Sequence, residues 1–222
     1  MEPIKQDWEK GAMPAWYNKQ LSFTPEEMDG YLSLLELKPE DIFVDFGCGN
    51  GELLRRAAPR VARAVGLDVS REQARAAREA AREFANVEIL NSRFQNCLLP
   101  DLQFTKGSAR KALHHLEEDE KPQFFRRISR NFAPGALFLL EDAVFDFPKA
   151  ELQTRWPKIL QEAAVFYGPR WKGMEEMFEN TLCREFAEDF DTWSAALAAG
   201  GFKVIKREQK TSFYASLLAR KG

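Results

Sequence analysis

The 222-residue sequence is short of several things that would have narrowed its class at once. Its three cysteines, Cys48, Cys97 and Cys183, include no CxxC pair. The spacing excludes a zinc knuckle or a thioredoxin-like motif, and a scattered odd set suits a reducing, intracellular setting. Histidine occurs twice only, at the adjacent positions His114 and His115. No apolar run approaches the roughly 20 residues needed to cross a bilayer. The stretch "MEPIKQDWEK" carries charge and no apolar core, so it does not read as a signal peptide, and the expected location is the cytoplasm. An excess of one charge is missing too. A net charge of -2 leaves no overall basic footprint for nucleic acid and no strong pull toward anionic lipid. There is no internal repeat.

What is present is the composition of a soluble globular chain, 45% hydrophobic and 30% charged, long enough for one domain with a sizeable core. Strands and helices alternate. "DIFVDF" (41–46), "RAVGLDV" (63–69), "VEIL" (87–90) and "GALFLLEDAVF" (135–145) read as buried strands. "LQFTKGSA" (102–109) is a poorer strand, interrupted by Lys106 and Gly107. Between them, 24–38, 52–58, 70–85 and 117–132 read as helices, with Thr24/Glu27 and Ser70/Gln73 as capping boxes. A helix over 191–201 and two closing strands, read as antiparallel neighbours, follow. The pattern predicts an α/β fold: a Rossmann-like, mostly parallel seven-stranded sheet with helices on both faces and the last strand antiparallel. Residues 147–190 break the rhythm. They read as a helical, aromatic-rich cap insertion, placed to cover the C-terminal strand edge where ligands bind in such sheets.

One loop carries most of the chemistry. "VDFGCGNGELL" (44–54) follows the first strand. It lacks the lysine of a P-loop. It also lacks the third glycine of a dinucleotide fingerprint, because Glu52 stands where GxGxxG needs it; the third glycine is Gly51. Asp45 precedes the loop, and it and Glu52 would sit awkwardly beside a pyrophosphate. Asp68, at the end of the second strand, is placed to accept hydrogen bonds from a ribose. Together they favour a nucleoside with a cationic, phosphate-free tail.

The segments "VDFGCGNG", "GLDVS", "ALHHL", "FAPGALFLLED" and "AAGGFKVI" resemble, in this order, the class I S-adenosylmethionine-dependent methyltransferases, over residues 25–146 and 191–220. "HHL" followed by a Pro-Gly turn looks most like the small-molecule branch. The resemblance implies S-adenosylmethionine as cofactor. It implies that Asp45 reaches the methionine amino group and that Gly47, Gly49 and Gly51, with Cys48 and Asn50 between them, line the methionine part. Asp68 would hold the ribose hydroxyls, Val69 would pack on the adenine, and residues 1–24 would close over the cofactor through Trp16 or Tyr17. The acid that usually meets the adenine amino group is replaced by Arg93, which leaves that contact to Arg93 stacking, to the backbone around Phe94, or to Asn91.

The catalytic candidates are His115, His114 and Asp142. A histidine beside the cofactor would act as general base or orient the acceptor, or would only pack under the cofactor or bond the backbone. Glu141 and Asp142 end the fifth strand; each could face an acceptor, bind an amine, hold a divalent metal, cap, or be solvated, with Asp142 expected nearer the open edge. No metal-ligand cluster is visible in the spacing. In the insertion, Trp156, Phe166, Tyr167, Trp171 and Phe178 read either as a lid or as the insertion's own packing. Arg170 and Lys172 could meet an anionic group or be solvated. The expected activity is methyl transfer to a small-molecule acceptor by a monomer or homodimer. The alternatives are an RNA or protein methyltransferase and a non-catalytic cofactor-binding member of the fold.

Overall fold

The computed structural model describes residues 24–222. Within them, seven α-helices pack around an eight-stranded sheet. In chain order these are α1 (Pro25–Ser33), β1 (Ile42–Phe46), α2 (Glu52–Ala57), β2 (Arg63–Asp68), α3 (Arg71–Ala80), β3 (Val87–Asn91), β4 (Phe104–Arg110), α4 (Glu120–Ser129), β5 (Phe132–Phe145), α5 (Leu152–Tyr167), α6 (Glu175–Glu179), β6 (Glu188–Asp189), α7 (Phe190–Ala199), β7 (Phe202–Thr211) and β8 (Tyr214–Lys221).

The sheet order is β3-β2-β1-β4-β5-β8-β7, with β8 antiparallel to both neighbours and β1 to β5 parallel. The expected seven strands form this path. The two-residue β6 adds an eighth, pairing parallel with β5 inside the cap insertion. Strand alternation divides the core. Val44, Phe46, Val65 and Leu67 face α4 and α7 with Phe124, Phe125, Trp193 and Leu197, whereas Phe43 and Ala64 face α1, α2 and α3 with Leu32, Leu54, Ala74 and Ala77. The switch from β1 to β4 leaves a crevice at the carboxyl ends of these strands, the place such sheets use for ligands.

Several boundaries move. The first helix stops at Ser33 rather than running on toward Pro39, and Glu36 takes a left-handed turn (φ 50°). Its capping box is formed as expected: Thr24 accepts from the Glu27 N–H, and Glu27 from the Thr24 N–H. The interrupted "FTKGS" is a full strand. Rings of Phe132 and Phe138 fill the space a Cβ would need at Gly107, so glycine there is a packing requirement and not a break. Lys106 stays in the strand with its ammonium 4.0 Å from Asp41. Among the described residues, no helix is long and apolar enough to cross a membrane.

Candidate active site

The crevice is built in register. Phe46 lies opposite Leu67 and Ala109, Asp68 opposite Asn91, and Arg110 opposite Glu141, so four strand ends stop at one level. The chain leaves β1 through the glycine loop while still tied to β2: Gly47 and Cys48 both donate to the Leu67 carbonyl, at 2.7 and 3.0 Å. Gly47, Gly49 and Gly51 all have positive φ (76°, 55° and 80°), a conformation other residues rarely take. Beyond that they differ. A Cβ at Gly47 would lie 2.4 Å from the Ala112 Cβ, and one at Gly51 would lie 2.9 Å from the Ala77 Cα. At Gly49 it would meet nothing within 4 Å. Gly47 and Gly51 hold the turn against its neighbours; Gly49 leaves open space.

Asp68 closes the loop. Its two oxygens accept from the N–H groups of Gly49 and Ser70, each at 2.8 Å. Burial raises its pKa, and those two hydrogen bonds work against the rise. Asn91 donates to the carbonyls of Asp68 and Val69, both at 2.9 Å, which fixes the half-buried Val69. Asn50 is half-buried and Cys48 buried. Arg93 is exposed, while the half-buried Phe94 packs edge-on against Phe124 and reaches over Gly47. The Phe94 carbonyl accepts from Arg127 at 3.0 Å. Asp45 is buried, and the Ser108 hydroxyl donates to it at 2.6 Å. Burial pushes its carboxyl up to about 7; the Ser108 hydroxyl opposes this and the charge of Asp68 adds to it. An ammonium beside it would restore the charged form.

The histidines sit on a single 3₁₀ turn, Leu113–His115, after β4. Asp142 holds that turn. Its Oδ2 accepts from the N–H groups of Ala112, Leu113 and His114, and its Oδ1 lies 2.6 Å from His114 Nδ1. Of the readings offered for Asp142, capping is the one the structure shows: it is fully buried and caps the turn, because alternation along β5 aims it inward under the histidines and not at the open edge. Glu141 points the other way, into a network with Arg110, Lys210, Tyr214 and Ser216, and is not solvated. Burial disfavours the charged His114, but the charge and hydrogen bond of Asp142 and the nearby Glu185 carboxylate outweigh it and raise its pKa to about 10. That leaves His114 cationic at neutral pH and no base. Burial and the neighbouring His114 charge lower the pKa of His115, whose side chain is 24% exposed.

Two residues of this corner escaped the sequence reading. Glu185 comes from the end of the insertion, with one oxygen 3.4 Å from His114 Nε2 and the other 3.4 Å from His115 Nδ1. Lys111 holds a left-handed backbone (φ 51°) between β4 and the histidine turn, the kind of strain that gathers at functional sites. Burial and then Arg110 push its ammonium down to about 7, and it stands 5.1 Å over the Tyr214 ring. A lysine after an apolar strand carries no local signal for either feature.

The insertion aromatics mostly pack on one another. Phe178 is buried against Trp156, Tyr167, Trp171 and Phe213, at ring separations of 4.9–5.9 Å. Phe166, Arg170 and Lys172 are exposed. The expected contacts from Trp16 or Tyr17 fall outside the described residues.

Residues 43–135 match the family described as "Methyltransferase domain". That match is consistent with a class I S-adenosylmethionine-dependent methyltransferase. A 90-residue stretch is 37% identical to a probable cobalt-precorrin-6B C(15)-methyltransferase (decarboxylating) of Archaeoglobus fulgidus, covering 39% of this chain and 54% of that relative's length. An uncharacterized methyltransferase of Geobacillus thermodenitrificans is 25% identical over 193 residues, covering 87% of this chain and 83% of the relative. The solved cyclopropane synthase MmaA2 of Mycobacterium tuberculosis shares the fold, with a TM-score of 0.67 at 14% identity over 92% of this chain and 88% of that one. The crevice also fits S-adenosylmethionine, the cofactor that the sequence resemblance implies. Gly49 leaves room for a close approach, Asp45 is a carboxyl that an ammonium would ionise, and Asp68 keeps lone pairs free beside its two backbone bonds.

Proposed function

We propose that this protein transfers the methyl group of S-adenosylmethionine to a small-molecule acceptor bound between the 111–115 turn and the cap insertion. The observation that carries the proposal is the Asp45–Gly49–Asp68 cradle facing that turn at one strand edge. The cofactor supplies an activated methyl on a sulfonium; the protein supplies alignment, which is worth up to roughly 7–11 kcal/mol. Asp45 binds the amino group of the methionine part, Gly49 admits its backbone, and Asp68 holds the ribose. Val69 and Phe94 flank the adenine. Lys111, deprotonated near neutral pH, accepts the acceptor's proton, and His115 is the partly exposed ring that orients it. The named substrate of the Archaeoglobus relative is itself a small molecule, which supports this branch over a macromolecular acceptor.

Thermal shift with S-adenosylmethionine, its demethylated product, NAD and ATP tests the cofactor. Ligand at 100 times its dissociation constant adds about 2.7 kcal/mol. Stabilisation by the first two is expected, with the effect reduced in Asp68→Ala; stabilisation by NAD alone would refute the reading. Because Lys111 must be neutral to act, kcat/KM should rise with pH through about 7 and then level off. Lys111→Met should lower kcat and remove that rise. An unchanged profile in the variant would place the base elsewhere.

A further inference from the structure

The histidine turn and the end of the insertion bring together three side chains that are far apart in sequence. We propose that His114, His115 and Glu185 form a binding site for a divalent transition-metal ion. One ligand atom from each lies within 4.8 Å of the others. Each imidazole nitrogen that faces Glu185 stands 3.4 Å from a carboxylate oxygen. An ion with ligands about 2.0–2.2 Å away in tetrahedral geometry has edges of about 3.3–3.6 Å, which each 3.4 Å separation matches, the two running to different oxygens of Glu185.

A second, independent observation points to a ligand. The Glu185 side chain is only 3% exposed, yet neither of its oxygens makes a hydrogen bond. A buried carboxylate in that state needs a compensating cation, either a protonated His114 or a bound ion. Third, the outer partner of a metal-binding histidine is in place. Asp142 accepts a hydrogen bond from His114 Nδ1–H, which leaves the Nε2 lone pair toward Glu185, the arrangement that orients ligating imidazoles in metal centres.

The local fold explains how adjacent histidines converge on one point. Three backbone N–H groups donate to Asp142 and wind the turn so that both rings lie together, centroids 4.1 Å apart. A π-helical turn, Asn180–Arg184, sets where Glu185 emerges, and the Phe186 N–H donates to the His114 carbonyl at 3.1 Å. Binding would displace the proton that makes His114 cationic in the metal-free protein; with both imidazoles then neutral, Asp142 and Glu185 bring two negative charges that one dication balances. Two nitrogens and one carboxylate suit zinc, iron, cobalt or nickel, whereas magnesium and calcium prefer all-oxygen sets. Three protein ligands leave a position open, and the exposed side of the site is at His115. An acceptor oxygen or nitrogen in that position would rest on the methyl-transfer reading; the ion site itself does not.

The test uses the full chain, stripped with chelator and titrated with Co²⁺ and then Zn²⁺. Expected are one equivalent bound, a visible Co²⁺ absorption band that Zn²⁺ abolishes, and a higher melting temperature. Glu185→Gln and His115→Ala should lose the band while their apo forms still melt cooperatively. Asp142→Asn, which disturbs only the outer partner, should weaken binding about 10–100-fold. No band and no stoichiometric binding in the natural protein would overturn the proposal, as would undiminished binding in both ligand variants. That outcome would leave a protonated His114 bridging two carboxylates. Binding of S-adenosylhomocysteine measured on the same samples separates the two ideas. Metal binding without it sinks the methyl-transfer reading only, and the reverse sinks the metal site only.

Discussion

Glu141 and Asp142 are neighbours in sequence, yet they end in separate networks on opposite faces of β5. Asp142 organises the histidine turn. Glu141 accepts from Arg110 at 2.6 Å, Tyr214 at 2.7 Å and Ser216 at 2.9 Å, and pairs with Lys210. Burial alone would raise the Glu141 carboxyl; the charges of Arg110 and Lys210 and their hydrogen bonds outweigh it and hold the pKa at about 2. The folded-state value lies below the ordinary one, so the stabilisation is present above about pH 4.5 and lost as pH falls through about 2. A shift of that size corresponds to roughly 3 kcal/mol. Urea denaturation between pH 6 and pH 2 should therefore show a loss of that order beyond the general acid effect. Glu141→Gln should flatten it, and should already cost about 3–5 kcal/mol at pH 7 by leaving Arg110 and Lys210 without their counter-charge. An acid profile identical in the variant would refute the assignment. None of this was legible locally: "LLEDAVF" shows two acids closing a strand, and their partners come from three other strands and the 112–114 turn.

At the scale of elements, the glycine loop was the most legible part of the chain. Backbone geometry is nearly a local property, and positive φ at three positions follows from the glycines themselves. What each glycine is for was not legible. Gly51 opens α2 with its hydrogen against the backbone of α3, while Gly49 borders open space. Gly51→Ala should destabilise by at least about 1–3 kcal/mol from left-handed strain, with the steric clash added. Gly49→Ala carries the strain without the clash, so it should melt at a higher temperature than Gly51→Ala while binding S-adenosylhomocysteine more weakly than the natural protein. Equal melting temperatures would mean that the contact with Ala77 does not matter. The strand β4 was the least legible element. Lys106 and Gly107 read as interruptions, and only the rings of Phe132 and Phe138 against Gly107 show why glycine belongs there.

Across the whole molecule, the insertion is a third core joined to the sheet. Phe178, Ile159, Ala163 and Leu182 cluster with Phe145 of β5 and with Phe213 and Tyr214 at the start of β8. The aromatics therefore build the cap before they serve any ligand. Phe178→Ala should cost about 3–5 kcal/mol in global unfolding. Loss of under about 1 kcal/mol would show that the cap opens independently of the sheet. The same packing carries Glu185 to the histidine turn, so a destabilised cap should weaken Co²⁺ binding as well.

The sequence by itself determined the alternating fold, the loop that suits a cationic nucleoside, and the order of motifs that resembles the methyltransferases. Periodicity, capping and glycine conformation act over a few residues, and short segments record them. Only the tertiary structure decided which carboxylates face inward, which glycine stays open, and that Glu185 meets both histidines. Those outcomes depend on strand register and on packing between segments distant in the chain. Contacts of that kind leave no mark on the residues beside them.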